Sequence, residues 1–229
     1  TLMRSSAASD VYKRQVYDNA MFIIALDYLL EMAPDSPQAS RWKSLREGIE
    51  RNVRAHLWDE KRQKFIPHIY PEKSPIPEGF DELAIHYHGG TAIAIEAGLL
   101  SKDEIRTVNA QMLENVRLSG MPSIGLTLYP VYPDGFFHGG MSKAYLYQNG
   151  GDWTWFGGRM IQQLVVNGMV EEAYAEIHPM IERVIQNDGF YEWYGKGGVP
   201  SGSGNFKGSA GVLSKAIELL RDWAEKNKS

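Results

Sequence analysis

The sequence has no cysteine among its 229 residues, which excludes disulfides, thiolate nucleophiles and Cys-ligated zinc while leaving the compartment open. Long apolar runs are missing as well. The longest unbroken one, Met21 to Leu26, falls far short of a membrane span. Positive charge is not in excess: the formal net charge is −4, so nothing in the chain is built to attract nucleic acid or an anionic membrane. His86 and His88 are spaced i, i+2, which puts them on different faces of a helix, and with six histidines in all no metal site is expected. The glycines at 195–198 and 202–204 match no phosphate-loop pattern, and no GxSxG nucleophile elbow is present. What is present is 43% hydrophobic residues, enough for a sizeable core.

The first fifteen residues, TLMRSSAASDVYKRQ, carry no periodicity and abut a strongly apolar segment. They read as a non-native or disordered tail, or alternatively as a flexible arm, with the folded part expected over 16–229. From Tyr17 onward two kinds of helical segment alternate. Asn19 to Ala33, Glu82 to Ala97 and Asp152 to Val166 are apolar nearly all round, the pattern of helices buried on every side. Between them lie amphipathic stripes: Trp42, Leu45, Ile49, Val53 and Leu57; then Ile105, Val108, Met112 and Val116; then Val170 through Ile185. A last helix is expected near Gly208 to Glu225.

Stop and start signals agree with this division. Ser36-Pro37 is expected to open an outer helix, Ser101 and Glu104 form a capping box, and Gly98 and Asn167-Gly168 end inner helices. Shifting the chain by 70 residues superposes Gly98 on Gly168 and Glu82 on Asp152, a degenerate repeat of helical hairpins whose inner helices open on Asp18, Glu82 and Asp152. Turns from inner to outer helix are short. Those from outer to inner are long, at 58–80, 119–150 and 189–206, and all three emerge where the inner helices begin. The fold class is therefore all-α, a partial double-layered α/α toroid of about three and a half hairpins. A closed ring of six would need roughly 360–420 residues at this spacing, so the expected partner is a set of N-terminal helices of the same domain.

The candidate chemistry lies on that rim. Nine aromatics fall in the 28 positions 129–156, including Tyr129, Tyr147, Trp153, Trp155 and Phe156, against 11% over the whole chain. Rings with polar tips suit a sugar, which offers an apolar face and hydroxylated edges, and Gln148, Asn149, Asp152 and Arg159 interleave as donors and acceptors. The same pattern also fits a loop folded down by its own aromatics. Glu192 stands in Asp188-Gly-Phe-Tyr-Glu-Trp-Tyr194; flanking aromatics partly desolvate a carboxyl and raise its pKa, which suits general acid or base work. Asp18, Glu82 and Asp152 are as readily explained as helix caps, and Asp81 and Asp134 are weaker candidates on the same loops.

Four stretches resemble the six-hairpin glycosidases: HYHGGTAIAIEAGLL at 86–100, PSIGLTLYPVYP at 122–133, YQNGGDWTWFGGRM at 147–160 and the region 190–213. The likeness is to the mannosylglycerate hydrolase, processing α-glucosidase and amylo-glucosidase group, over about 16–226 and in its C-terminal portion only. The resemblance implies an inverting, exo-acting glycoside hydrolase for an α-linked glucoside or mannoside, with Glu192 as the base that activates water and no cofactor. It places the general acid upstream of this chain, with Asp18 as the alternative within it, and the chain alone is expected to be inactive. It also implies sugar contacts from Tyr147, Gln148, Asp152 and Trp153, and His86, Trp193 and Tyr194 join the candidate binding residues. Where family members typically carry Trp-Arg-Gly-Pro, this sequence has Gln148-Asn-Gly-Gly-Asp152, a departure that bears on substrate and reaction. The alternatives within the same fold are a sugar epimerase, which would recruit His86 and His88, a glycoside phosphorylase, or a non-catalytic carbohydrate-binding toroid.

Overall fold

The computed structural model describes residues 15–71, 74 and 76–228. The tail expected over 1–15 lies outside these residues except for Gln15, which is the N-cap of the first helix. Seven α-helices form among the described residues: α1 (Val16–Met32), α2 (Ala39–Leu57), α3 (His88–Glu96), α4 (Lys102–Ser119), α5 (Thr154–Val166), α6 (Val170–Gln186) and α7 (Lys207–Lys226). Two antiparallel pairs of two-residue strands sit in the loops, β1 (Trp58–Asp59) with β2 (Lys64–Phe65) and β3 (Trp193–Tyr194) with β4 (Pro200–Ser201). None of these helices is long and apolar enough to cross a membrane.

The odd-numbered helices form an inner layer in sequence order: α1 packs on α3, α3 on α5 and α5 on α7. The amphipathic α2 and α6 lie against α1 and α5, and α4 feeds Ile105, Val108 and Met112 into the same core. This is the partial α/α toroid of three and a half hairpins. Every residue of α3 from His88 to Ile95 is buried, as an all-apolar pattern requires. Helix α1 departs from that expectation. Val16, Ala20 and Ile23 are fully buried, yet Tyr28 and Met32 are 56% and 73% exposed because no described element covers that face.

Helix ends show what the inner helices share. Past α3 the Gly98 and Leu99 amides donate to the carbonyls of Ile95 and Ala94, and past α5 Gly168 and Met169 repeat this with Val165 and Leu164. Both are Schellman motifs, and Gly98 and Gly168 take the left-handed φ values, +72° and +78°, that the motif demands. The capping box at α4 forms as expected, Ser101 N–H donating to the Glu104 carboxylate at 2.8 Å. Several starts differ from the sequence reading: α1 begins at Val16, ahead of Asp18, and α5 at Thr154, two residues past Asp152. Helix α2 begins at Ala39 and not at Pro37, Ser36 Oγ accepting the Gln38 amide in a turn before it. Helix α3 begins at His88; Glu82 instead opens a separate 3-10 turn over Glu82–Ala84. Its carboxylate accepts from the Tyr70 and Tyr132 hydroxyls and lies 2.7 Å from His68 Nδ1.

Glu176 of α6 and Asn109 of α4 meet in the buried seam between the outer helices, where Asn109 Nδ2 donates to Glu176 Oε1 at 2.7 Å. Asn109 Oδ1 and Glu176 Oε2 are left without partners. A proton on Oε2 would let the two groups close a reciprocal acid–amide pair. Burial raises the Glu176 pKa to about 7, the Asn109 hydrogen bond opposes the rise, and Glu172 adds to it. With the folded pKa above the unfolded value, stability falls as pH rises from about 4.5 to about 7 and is level above that. Glu176→Gln is therefore expected to stabilise the fold by on the order of 1–3 kcal/mol at pH 8 and by little at pH 4, measured as urea midpoints at both pH values.

Candidate active site

The three long loops meet as a belt of short extended segments. His86 and Tyr129 exchange both main-chain hydrogen bonds, at 2.7 and 3.1 Å. Thr127 N–H donates to Gly151 O and Trp153 N–H to Gly125 O. Asp152 and Tyr194 exchange both bonds at 2.9 and 2.8 Å, and β3 pairs with β4. Each loop is thus tied to the next by backbone bonds that no side chain needs to supply. Glu192 precedes β3, and its amide donates to Ser203 O at 2.9 Å.

Below the belt sits a buried ion pair. Asp152, fully buried, is 2.8 Å from Arg183 of α6 and accepts from Ser123 Oγ at 2.7 Å. Arg183 also donates to Thr154 Oγ1 at 2.6 Å and lies over the Tyr194 ring at 4.0 Å. One charged pair therefore holds an outer helix, the entrance to α5 and the strand beside Glu192.

A cavity of about 470 Å³ opens above, and its walls reveal how it is made. Its lining includes Gln15, Tyr87, Trp153 and Phe206, which are the N-cap residues of α1, α3, α5 and α7. All four inner helices therefore start at this one hollow. Three of those caps are aromatic, where Ser, Thr, Asp or Asn would stabilise the helix end. Glu192 enters the cavity half-buried, with Tyr147, Gln148, Trp155 and Phe156 around it and Asp18 at its α1 end. Burial and then the Glu192 carboxylate raise the pKa of the Tyr147 phenol. Tyr147 adopts a left-handed φ of +52°, held by Gly151 N–H and Trp153 Nε1–H donating to its carbonyl.

Of the sequence candidates, Glu192, Tyr147, Gln148 and Trp153 come together on the cavity wall. Trp155, Phe156 and Asp18 lie on the same wall, and the remaining candidates lie off it. Asn149 is fully buried, clasping both backbone groups of Tyr132 at 2.9 and 3.0 Å. Asp152 is committed to Arg183. Arg159 pairs with Glu96 at 2.8 Å and supports Trp155 from 4.6 Å, behind the cavity. Trp193 packs with Trp153 and Phe156, and Tyr194 is fully buried under Arg183. Tyr129 and His86 meet through their backbones, and the His86 ring faces a separate outer groove with Gln111 and Asn115. Burial, with Lys64 adding to it, lowers the His86 pKa to about 4. His88 is buried against Asn115, so neither histidine reaches the cavity. Asp134 accepts the Ala144 amide, and Asp81 is exposed off the wall.

Gln15, Tyr17, Tyr87, Thr127 and Phe206 line the cavity without having been singled out. For Gln15, Tyr87 and Phe206 the available signal was positional, each being the residue before an inner helix; Tyr17 and Thr127 carried none. Among the described residues no cluster of three or more His, Asp or Glu is arranged to hold a metal ion.

No protein-family model matches the sequence, and no curated protein matches it. Solved structures do. An uncharacterized conserved protein from Thermus thermophilus superposes with a TM-score of 0.64 at 16% identity, over 93% of this chain and 48% of that one. The GH63 mannosylglycerate hydrolase of the same organism, in complex with glucose, gives 0.63 at 16% identity over 92% and 48%. The same hydrolase with Tris and D-glycerate gives 0.58 at 16% identity over 92% and 46%. The chain shares the fold of these structures, and at this identity the likeness is one of fold alone; the chain spans about half their length.

Gly202 carries the close approach that seats Glu192. A Cβ there would stand 2.5 Å from Glu192 Oε2, and its φ is +71°. Gly202→Ala is expected to cost about 1–2 kcal/mol. Gly211, in α7 with open space around it, should instead gain about 0.5–1 kcal/mol on substitution by Ala. Urea midpoints of the two variants should move in opposite directions.

Proposed function

We propose that the chain is the C-terminal part of an α/α-toroid glycoside hydrolase domain, inverting and exo-acting on an α-linked glucoside or mannoside. One observation carries this reading: Glu192 projects into an aromatic-walled cavity built from the starts of all four inner helices. Structures of the same fold, one of them a hydrolase bound to glucose, support it. Cavity aromatics give the sugar's apolar face a surface to stack on, and Gln148 and Tyr147 offer hydrogen bonds to its edges. Tyr129, Asn149, Asp152, Arg159, Trp193 and Tyr194 act in this reading as positioning residues.

In the reaction Glu192 takes a proton from a water whose oxygen attacks the anomeric carbon. The glycosidic C–O bond breaks as a general acid protonates the leaving oxygen on the opposite side, with carboxyls roughly 6.5–9.5 Å apart. That acid comes from the helices expected upstream, so this chain by itself binds sugar without turning it over. The epimerase reading gains nothing from the cavity, since His86 and His88 are both turned away from it.

The test is turnover of α- and β-linked disaccharides and aryl glycosides by the intact domain, wild type against Glu192→Gln. A loss in kcat of about 10³-fold or more with binding retained is the expected result. Unchanged turnover moves the base elsewhere, and sugar binding without turnover in either protein makes this a carbohydrate-binding toroid.

A further inference from the structure

We infer that Tyr147 is a positioning residue that orients the Glu192 carboxylate as proton acceptor; this rests on the proposed role of Glu192 as the base. The carboxylate is already held on one side. Glu192 N–H donates to Ser203 O at 2.9 Å, and Ser203 N–H donates to Glu192 Oε2 at 3.4 Å. Gly202 leaves room for this approach, since a Cβ there would stand 2.8 Å from the Glu192 Cβ. A second polar group reaches the carboxylate from a different loop. Tyr147 shares the cavity wall with Glu192, and its hydroxyl stands within hydrogen-bonding reach of that carboxylate.

The surroundings of Tyr147 fix it in place. Its ring meets Trp153 edge-on at 4.9 Å and Trp193, the residue after Glu192, edge-on at 6.2 Å. Its carbonyl accepts from Gly151 N–H at 2.9 Å and from Trp153 Nε1–H at 3.2 Å. A Cβ at Gly151 would collide with that carbonyl and come within 3.1 Å of the Trp193 ring. Together these contacts impose a φ of +52°, a left-handed conformation that a bulky residue adopts only where its neighbours over-determine it. Gln148, the next residue, is exposed, as suits a contact to the edges of a sugar. Burial and then the Glu192 charge raise the Tyr147 pKa, so the phenol keeps its proton and donates a hydrogen bond to the carboxylate. Its oxygen remains an acceptor for a sugar hydroxyl. A carboxylate held from two loops keeps one lone pair aimed at the attacking water, and a misplaced base loses rate steeply. The proton from water goes to Glu192, and Tyr147 retains its own.

The experiment is a double-mutant cycle in the intact domain, with an aryl α-glucoside and an aryl α-mannoside as probes. Tyr147→Phe keeps the ring between the two tryptophans, so its urea midpoint should match that of wild type. It should lower kcat about 10- to 100-fold while KM stays within about threefold. In a Glu192→Gln background the same change should alter the residual kcat by less than about twofold, because its effect runs through the carboxylate. Retained kcat, with or without a rise in KM, removes the positioning role. An equal loss in both backgrounds shows that Tyr147 acts apart from Glu192. Either result overturns the inference and leaves the sugar site standing. Turnover that Glu192→Gln does not reduce, or no turnover by wild type, overturns the proposed function and the inference with it.

Discussion

The Asp152–Arg183 pair is the constraint on which the cavity depends. It is the point where an outer helix, an inner-helix entrance and the loop carrying Glu192 share atoms, and both side chains are at most 5% exposed. Such a pair is poor evidence for stability, because desolvating two charges offsets most of their attraction. Its surroundings add to that cost: Arg183 Nε and the Tyr194 hydroxyl are buried without partners. A merely stabilising design would have used apolar side chains. What the pair supplies is position, since Asp152 is followed directly by the cavity-lining Trp153 and its backbone is bonded to Tyr194, two residues beyond Glu192.

A similar trade recurs at the helix starts. The outer helix α4 has a complete capping box, while α3, α5 and α7 begin on Tyr87, Trp153 and Phe206 with no side-chain cap bond. Each missing cap forgoes about 1 kcal/mol. In return, the position where the chain turns from loop to helix delivers a large ring to the same hollow. The outer α2 and α6 also start without a side-chain cap bond, on Gln38 and Met169, but it is the three aromatic starts of the inner layer that line the hollow, as expected where a surface is shaped for a ligand.

Much of this was legible in the sequence because it is local or periodic. The alternation of apolar and amphipathic helices, the left-handed glycines at 98 and 168, the capping box at Ser101 and the three long loops depend on residues a few positions apart. Failures of the reading have a common cause. Glu82 before an apolar run looks like a helix start, but its partners His68, Tyr70 and Tyr132 are 12 to 50 residues away. Asn149 and Asp152 stand among aromatics like ligand contacts, and only tertiary packing shows that one clasps Tyr132 and the other Arg183. Phe206 and Tyr87 gave no polar signal at all. The all-apolar pattern of α1 likewise overstates its burial, because composition records what a face tolerates and not what covers it.

The most direct test of the positioning role is amide hydrogen exchange in Arg183→Lys, which keeps the charge but loses the contacts to Thr154 and the stacking on Tyr194. Exchange at Glu192, Tyr194 and Asp152 should rise at least about tenfold while amides within α3 and α4 hold their rates, marking a local loosening of the belt. Unchanged exchange at those three amides, or an equal rise across all helices, would contradict the account by showing that the pair either holds nothing or holds only the fold as a whole.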